Sequence, residues 1–262
     1  MYPEGDDDMP KSAIRSLSVK NKWQKTKWLM ADPALRPLVP ETKPFSREAL
    51  GEMTRRYRMV YFKPTGGTGG GGIARIERTP AGRFRVKKDL KTSVEASIAS
   101  LFHRLKRISR GKSYLLQKGI ELQKAGGKPF DLRVMVQKSL QNRWVPTVMF
   151  VKVGKPGKVV TNYHQGGKLE TVERALARAG HPPAGIRRYK RRLRTLGMRT
   201  ARCFGRHSPR FRELGLDVAL DRGGRLWILE VNTRPGYSAL KSLPNKRLYR
   251  TVTRYGRNYG RR

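Results

Sequence analysis

The chain has 262 residues, 37% of them hydrophobic, one cysteine and a formal net charge of +40. That length buries a core as one large domain or as two small lobes sharing a cleft, and the apolar residues bunch into strand-like runs rather than scattering as in a disordered chain. No stretch is long and apolar enough to span a membrane, no signal-peptide pattern opens the chain, and Cys203 has no partner for an internal disulfide, so a soluble intracellular protein is expected. Without a Cys/His cluster, any metal should be a hard cation held by oxygen. The excess of Lys and Arg predicts affinity for polyanions, read either as a general solubility, environmental or adhesion trait or as nucleic-acid binding; no zinc-finger or RNA-recognition signature accompanies it.

Residues 1–17 read as a loose leader, acidic at Glu4 and from Asp6 to Asp8. Residues 18–30 mix lysines with Trp23, Trp28 and Leu29 at helical spacing, which predicts an amphipathic helix with a solvated lysine face. Pro33, Pro37, Pro40 and Pro44 enforce an extended connection, and Ser46 caps a short helix through about Tyr57. Met59 to Lys63 reads as a strand, followed by six glycines among residues 66–72 and a second strand from Ile73. Gly66, Gly67, Gly69 and Gly70 let backbone amides wrap a phosphate beside the Lys63 charge; the alternative is a floppy hairpin tip. The lysine precedes the glycines, so this is not a Walker loop.

A helix is predicted over Thr92 to Arg110, then a strand from Tyr114 to Gln117, a short linker and a further strand in which Asp131 and Arg133 share one face. That pair reads either as a structural ion pair or as an arginine fork aimed at phosphate. Strands follow over 144–153 and 159–161, the second running into a loop with Asn162 and His164; the histidine is either a proton shuttle or a surface residue. Leu169 to Ala179 and Ile186 to Phe204 read as helices, the second basic with Leu193, Leu196 and Met198 inward. Residues 244–262 form a basic tail, expected to be poorly ordered from Tyr249 onward.

Before the tail, Leu216 to Leu220 and Leu226 to Val231 read as two strands joined by a turn at Asp221-Arg-Gly-Gly. Glu230 and Asn232, two residues apart, project from the same face, and Asp217 on the partner strand points there too. Three such oxygen donors suit magnesium; the alternative is a hairpin whose acids face water. Glu230 interrupts the run Leu226-Trp-Ile-Leu229, and an acid within an apolar strand needs a partner.

In this order the glycine loop, the Asp-x-Arg strand and the acidic hairpin resemble the ATP-grasp superfamily, and within it the YheC/YheD group of endospore coat-associated proteins. The likeness covers residues 18–243 and rests on LRPLVPET, LQKGIEL, PFDLRVMVQK, VVTNYHQGGK and ELGLDVALDRGGRLWILEVNTRPG. It implies an α+β fold of two lobes with mainly antiparallel sheets gripping ATP, the smaller lobe lying at about 59–120. It also implies magnesium on Asp217, Glu230 and Asn232, ATP phosphates held by Lys22 and Lys63 under the glycine flap, and adenine read near Gln117, Lys118 and Ile120. Arg133 would act on the transferring group, with Asn162 near the phosphates. The implied reaction is ligation of a carboxylate to an amine or other nucleophile through an acyl-phosphate. A non-catalytic spore-coat or polyanion-binding scaffold that keeps the fold is the alternative. Such proteins often carry a further domain ahead of the module, whereas this chain begins almost directly at it.

Overall fold

The computed structural model describes residues 16–67, 71–154 and 167–261. Strands β1 (Thr42–Pro44), β2 (Met59–Pro64), β3 (Ala74–Arg78), β4 (Phe84–Lys88), β5 (Lys91–Glu95) and β6 (Tyr114–Lys118) form one antiparallel sheet in the order β1-β6-β2-β3-β4-β5. Pro44 sits on the edge strand, where its missing N–H costs no ladder bond. Because β1 pairs with β6, this lobe draws in chain from before residue 59. Its core is Val60, Phe62, Ile76 and Leu116 against Leu50 and Met53 of α2 (Arg47–Arg56) and Leu101 and Leu105 of α3 (Ile98–Ser109). Ser46 starts α2 by accepting from the Ala49 N–H.

The helix predicted from Thr92 starts later. Ser97 and Ser100 form a reciprocal capping box that fixes the start of α3 at Ile98. The residues before it, rich in Thr, Ser and Val, extend the meander instead as β5, opposite a strand, β4, whose short basic sequence carries little apolar signal. In the same way Leu169 lies in a strand, and Thr171 caps the helix behind it.

The second sheet holds β8 (Lys128–Lys138), β9 (Trp144–Val153), β10 (Lys168–Glu170), β11 (Glu213–Leu220) and β12 (Leu226–Asn232) in the order β10-β9-β8-β11-β12, with β7 (Lys124–Ala125) paired at the start of β8. Strand alternation gives it two different faces. One buries Val134, Val136, Val151, Leu216 and Val218 under α1 (Lys22–Ala31), α4 (Val172–Arg178) and α5 (Pro183–His207). The 25-residue α5 lies close to the sheet because Gly197 leaves room: a Cβ there would meet Val136 at 2.9 Å and Val134 at 3.0 Å. The other face carries Arg133, Met135, Gln137, Phe150, Lys152, Glu213 and Asp217 on β8, β9 and β11.

The C-terminal segment covers half of that second face. It forms α6 (Arg247–Arg257), which corrects the poorly ordered tail expected from its charge. Leu248, Val252 and Tyr259 recur at helical intervals among the arginines; Val252 and Tyr259 are buried, and Val252 packs with Met135, Phe150, Tyr237 and Leu240. Burying such side chains is worth about 1.5–3 kcal/mol each, which outweighs the local charge density.

Beneath α6 lies Glu213, with none of its surface exposed. Its carboxylate accepts from the Tyr259 hydroxyl at 3.2 Å and lies 3.3 Å from the Arg261 guanidinium. Gln137 is tied to the same segment through the Val252 carbonyl at 3.0 Å. Burial pushes the Glu213 carboxyl up to about 7, outweighing the opposite pull of Arg261 and Tyr259. A folded-state value above the unfolded one means stability is fully present below the ordinary glutamate range and is lost as pH rises through about 7. The shift corresponds to about 3 kcal/mol. Thermal melts of the wild type and Glu213→Gln from pH 5 to pH 8 should show the variant gaining on the wild type as pH rises; a constant difference would contradict this assignment.

Candidate functional site

The exposed half of the same face meets the first sheet across a cleft. β11 and β12 pair with Asp217 opposite Glu230 and Gly215 opposite Asn232, and β11 pairs with β8 so that Asp217 lies opposite Arg133. β9 adds Lys152 opposite Asp131. These registers bring four strands' polar side chains onto one patch.

Asp217 is its centre. Its carboxylate accepts from Arg133 Nε at 2.8 Å and Nη2 at 3.2 Å, from Lys152 Nζ at 2.7 Å and from Asn232 Nδ2 at 3.1 Å. Lys152 also pairs with Asp131 at 2.9 Å. Burial alone would raise the Asp217 pKa, but the Arg133 and Lys152 charges and hydrogen bonds outweigh it and hold the carboxyl well below the usual range. Burial likewise opposes charge on Arg133 and Lys152, and the acids beside them win, raising both. The close contacts of the Asp-x-Arg pair cross to neighbouring strands, Arg133 to Asp217 on β11 and Asp131 to Lys152 on β9. Gly215 makes this possible, because a Cβ there would meet Pro235 at 2.6 Å and Arg133 Nη1 at 3.1 Å.

Next to this patch, α1 and the first sheet face Glu230. Lys22 and Lys25 each hold Nζ 3.7 Å from the Glu230 carboxylate, too long for a hydrogen bond. Asn21 caps α1, so Lys22 begins the helix; its backbone N–H donates to Thr65 and its Nζ to the Gly67 carbonyl at 2.7 Å, fastening α1 to the base of the glycine loop. Lys63, at the end of β2, donates to Gln117 Oε1 at 2.5 Å. Burial lowers Lys63 to about 8, against the pull of Glu230, and lowers Lys25 as well. Among the described residues five cations of the site (Lys22, Lys25, Lys63, Arg133 and Lys152) face three carboxylates (Asp131, Asp217 and Glu230), a surplus of two positive charges. Leu29, Val39, Leu115 and Ile228 supply an apolar wall beside the lysines.

The expected site residues divide clearly. Asp217, Glu230, Asn232, Arg133, Lys22, Lys63 and Gln117 converge on this cleft. Gln117 lies within β6, its backbone paired with Thr42 and Tyr61 and its side chain facing the cleft. Lys118 turns away, its ammonium 5.1 Å from the Tyr57 ring centre and 4.9 Å from that of Trp227, and Ile120 is buried against Ala219 and Trp227. Gly66 and Gly67 stand at the start of the loop, Gly67 at φ +90°. Gly69, Gly70, Asn162 and His164 lie outside the described residues.

Two residues were missed. Lys152 interrupts the apolar run Val148-Met-Phe-Val, the same signal that marked Glu230. Lys25 was assigned to a solvated helix face, yet it is 4% exposed because β12 packs against α1.

Oxygen donors suited to a hard cation are present at Glu230, Asn232 and Asp217. Glu230 is only loosely matched by its lysines, so the set fits a divalent ion that shares Asp217 with Arg133 and Lys152. No group of three His, Cys, Asp or Glu side chains is close enough to hold a metal among the described residues, so the amide of Asn232 is needed to complete a third donor.

Two antiparallel sheets gripping a cleft of surplus positive charge, with acids on the floor hairpin, are the architecture of an ATP-grasp protein. The chain belongs to the YheC/D-like ATP-grasp family, which matches residues 13–261. It is 32% identical over 232 residues to the endospore coat-associated protein YheD of Bacillus subtilis (strain 168), covering 86% of this chain and 50% of that protein. It is 24% identical over 244 residues to the endospore coat-associated protein YheC of the same organism, covering 88% and 64%. The chain thus spans about half to two-thirds of the length of these curated relatives. Among solved structures it is similar to the D-cycloserine synthetase DcsG, at a TM-score of 0.49 and 15% identity over 88% of this chain and 71% of that one, a likeness too distant to bear on chemistry.

Lys152 is shared between the buried Asp131 and the partly buried Asp217, and removing it takes one cation from each while Asp217 keeps Arg133. Lys152→Met should lower the free energy of unfolding by about 1.5–3 kcal/mol in urea titrations, the range for losing hydrogen bonds to charged groups, and adding Asp131→Leu should restore part of it. Equal stability of wild type and Lys152→Met would show that the ion pairs do not hold this face together.

Proposed function

We propose that the cleft takes a magnesium-bound ATP and that the chain is an ATP-dependent ligase joining a carboxylate to an amine or other nucleophile, with release of ADP and phosphate. The observation that supports it is the surplus of positive charge around Glu230: three lysines from two different lobes converge on one carboxylate. A phosphate chain supplies the missing negative charge. Lys22, Lys25 and Lys63 would neutralise it, and the apolar wall at Leu29 and Ile228 would lie against the base. Gln117, held by Thr42 at 3.1 Å, offers its amide beside that wall.

Glu230, Asn232 and Asp217 would hold the magnesium, which would offset the charge of the phosphates. The deep depression of Asp217 keeps it an anion across the physiological range, as a ligand must be. Arg133 and Lys152 lie on the same patch and would steady the transferring phosphoryl group and the acyl-phosphate oxygens. In this reading a carboxylate oxygen attacks the γ-phosphorus as the bond to ADP breaks. The nucleophile then attacks the acyl carbon, phosphate leaves, and the nucleophile gives up its proton. The glycine loop would exclude water from the intermediate.

A second reading is favoured by the charge of +40 and by the names of the relatives: a spore-coat-associated scaffold that keeps the fold without catalysis. A screen of carboxylate and amine pairs with ATP, read by mass spectrometry and ADP release, separates the two. The ligase reading expects an ADP-forming product that Lys63→Met reduces about tenfold to a hundredfold, the range for losing a charged hydrogen bond. ATP binding with no ADP formed from any pair would favour the scaffold.

A further inference from the structure

Away from the cleft, the outer face of α5 carries a concentration of charge that the nucleotide reading does not use. Arg187, Arg188, Arg191, Arg192, Arg194, Arg199, Arg202 and Arg206 are all exposed, and the helix contains no acid. At 3.6 residues per turn these eight fall within an arc of about 160°, opposite the buried side formed by Tyr189, Leu193, Leu196, Thr200 and Phe204. From Arg187 to Arg206 the stripe is about 28 Å long at 1.5 Å per residue. Acids barely touch it: Asp32 pairs with Arg206 at 2.7 Å, and Glu173 pairs with Lys190. Among the described residues Arg187, Arg188, Arg191, Arg194, Arg199 and Arg202 have no acidic partner.

Self-repulsion of this kind disfavours the folded chain unless a polyanion answers it. We infer that the arginine face of α5 binds the phosphate backbone of duplex nucleic acid, without reading its sequence. Three observations choose this occupant. The cations are almost all arginine, whose planar fork matches phosphate oxygens in pairs, whereas a mere solubility coat needs no such geometry. The stripe is close in length to one turn of a duplex, about 34 Å, along which phosphates recur densely enough to meet every arginine. A membrane surface is a poorer fit, because among the described residues the exposed large apolar side chains are Leu90, Val94 and Leu140, none of them on α5 to insert among lipids.

The site is separate from Lys63 and Glu230, so the inference stands or falls apart from the ligase reading. The test is fluorescence anisotropy of a labelled 20-base-pair DNA of random sequence, titrated with the full chain over a range of salt concentrations without ATP. The variant Arg187→Gln, Arg191→Gln, Arg194→Gln, Arg202→Gln should weaken binding by about a hundredfold or more and flatten the log–log salt slope by about 3–4, near 0.9 per lost contact. A control with the same charge removed elsewhere, Arg83→Gln, Arg85→Gln, Lys91→Gln, Arg107→Gln, should bind much as the wild type does, and so should Lys63→Met. Equal losses in the two fourfold variants would overturn the assignment to α5, leaving only net charge. Polyglutamate or anionic vesicles binding as tightly as DNA through the same arginines would overturn the choice of nucleic acid.

Discussion

The Asp217 carboxylate, shared between Arg133, Lys152 and Asn232, is the interaction on which the rest of the site depends. It joins four strands of the second sheet through side chains as well as ladder bonds, and it offsets the charges of the buried Lys152 and the partly buried Arg133. Because burial makes each of these charges costly alone, they persist only as a set. That interdependence fixes the register of β8, β9 and β11, since a slip of one residue would send the whole group to the opposite face, among Val134, Val151 and Leu216.

From this patch the two halves of the sheet face diverge in use. Where Glu213 and Gln137 lie, the C-terminal segment closes over the sheet, and Tyr259, Arg261 and the Val252 carbonyl partner those side chains. Where Asp217 and Glu230 lie, the first sheet stands off and leaves a cleft with positive charge in surplus. Structure and proposed chemistry are linked by that difference: the same alternation that buries a polar network at one end presents the proposed ligand-binding groups at the other. α1 completes the cleft, its lysines held between Glu230 and the start of the glycine loop, so any anion bound there touches both lobes.

Much of this was legible in the chain because charged residues interrupted apolar strands. Asp217, Glu230 and Arg133 each stood out against Leu, Val and Ile, and strand alternation placed them on a common face. The same rule marks Lys152 equally well, but a lysine in a chain this basic attracts no notice. Lys25 was hidden for a different reason: helical spacing shows which residues share a face, not which element will cover them. β4 and α6 were obscured by their arginines and lysines, whose aliphatic stems and sparse apolar neighbours still pack. The start of α3 turned on the pairing of Ser97 with Ser100, a local exchange of hydrogen bonds that outweighs the apolar periodicity upstream.

The central claim is that Glu230 and Asn232 form the floor of a magnesium–nucleotide site. Isothermal titration of ATP into the full chain, with magnesium and with EDTA, for wild type and for Glu230→Gln, Asn232→Ala, tests it most directly. The account predicts magnesium-dependent binding by the wild type, weakened at least about tenfold in the double variant by the loss of a charged ligand. Equal affinity of the two proteins, or binding indifferent to magnesium, would contradict it.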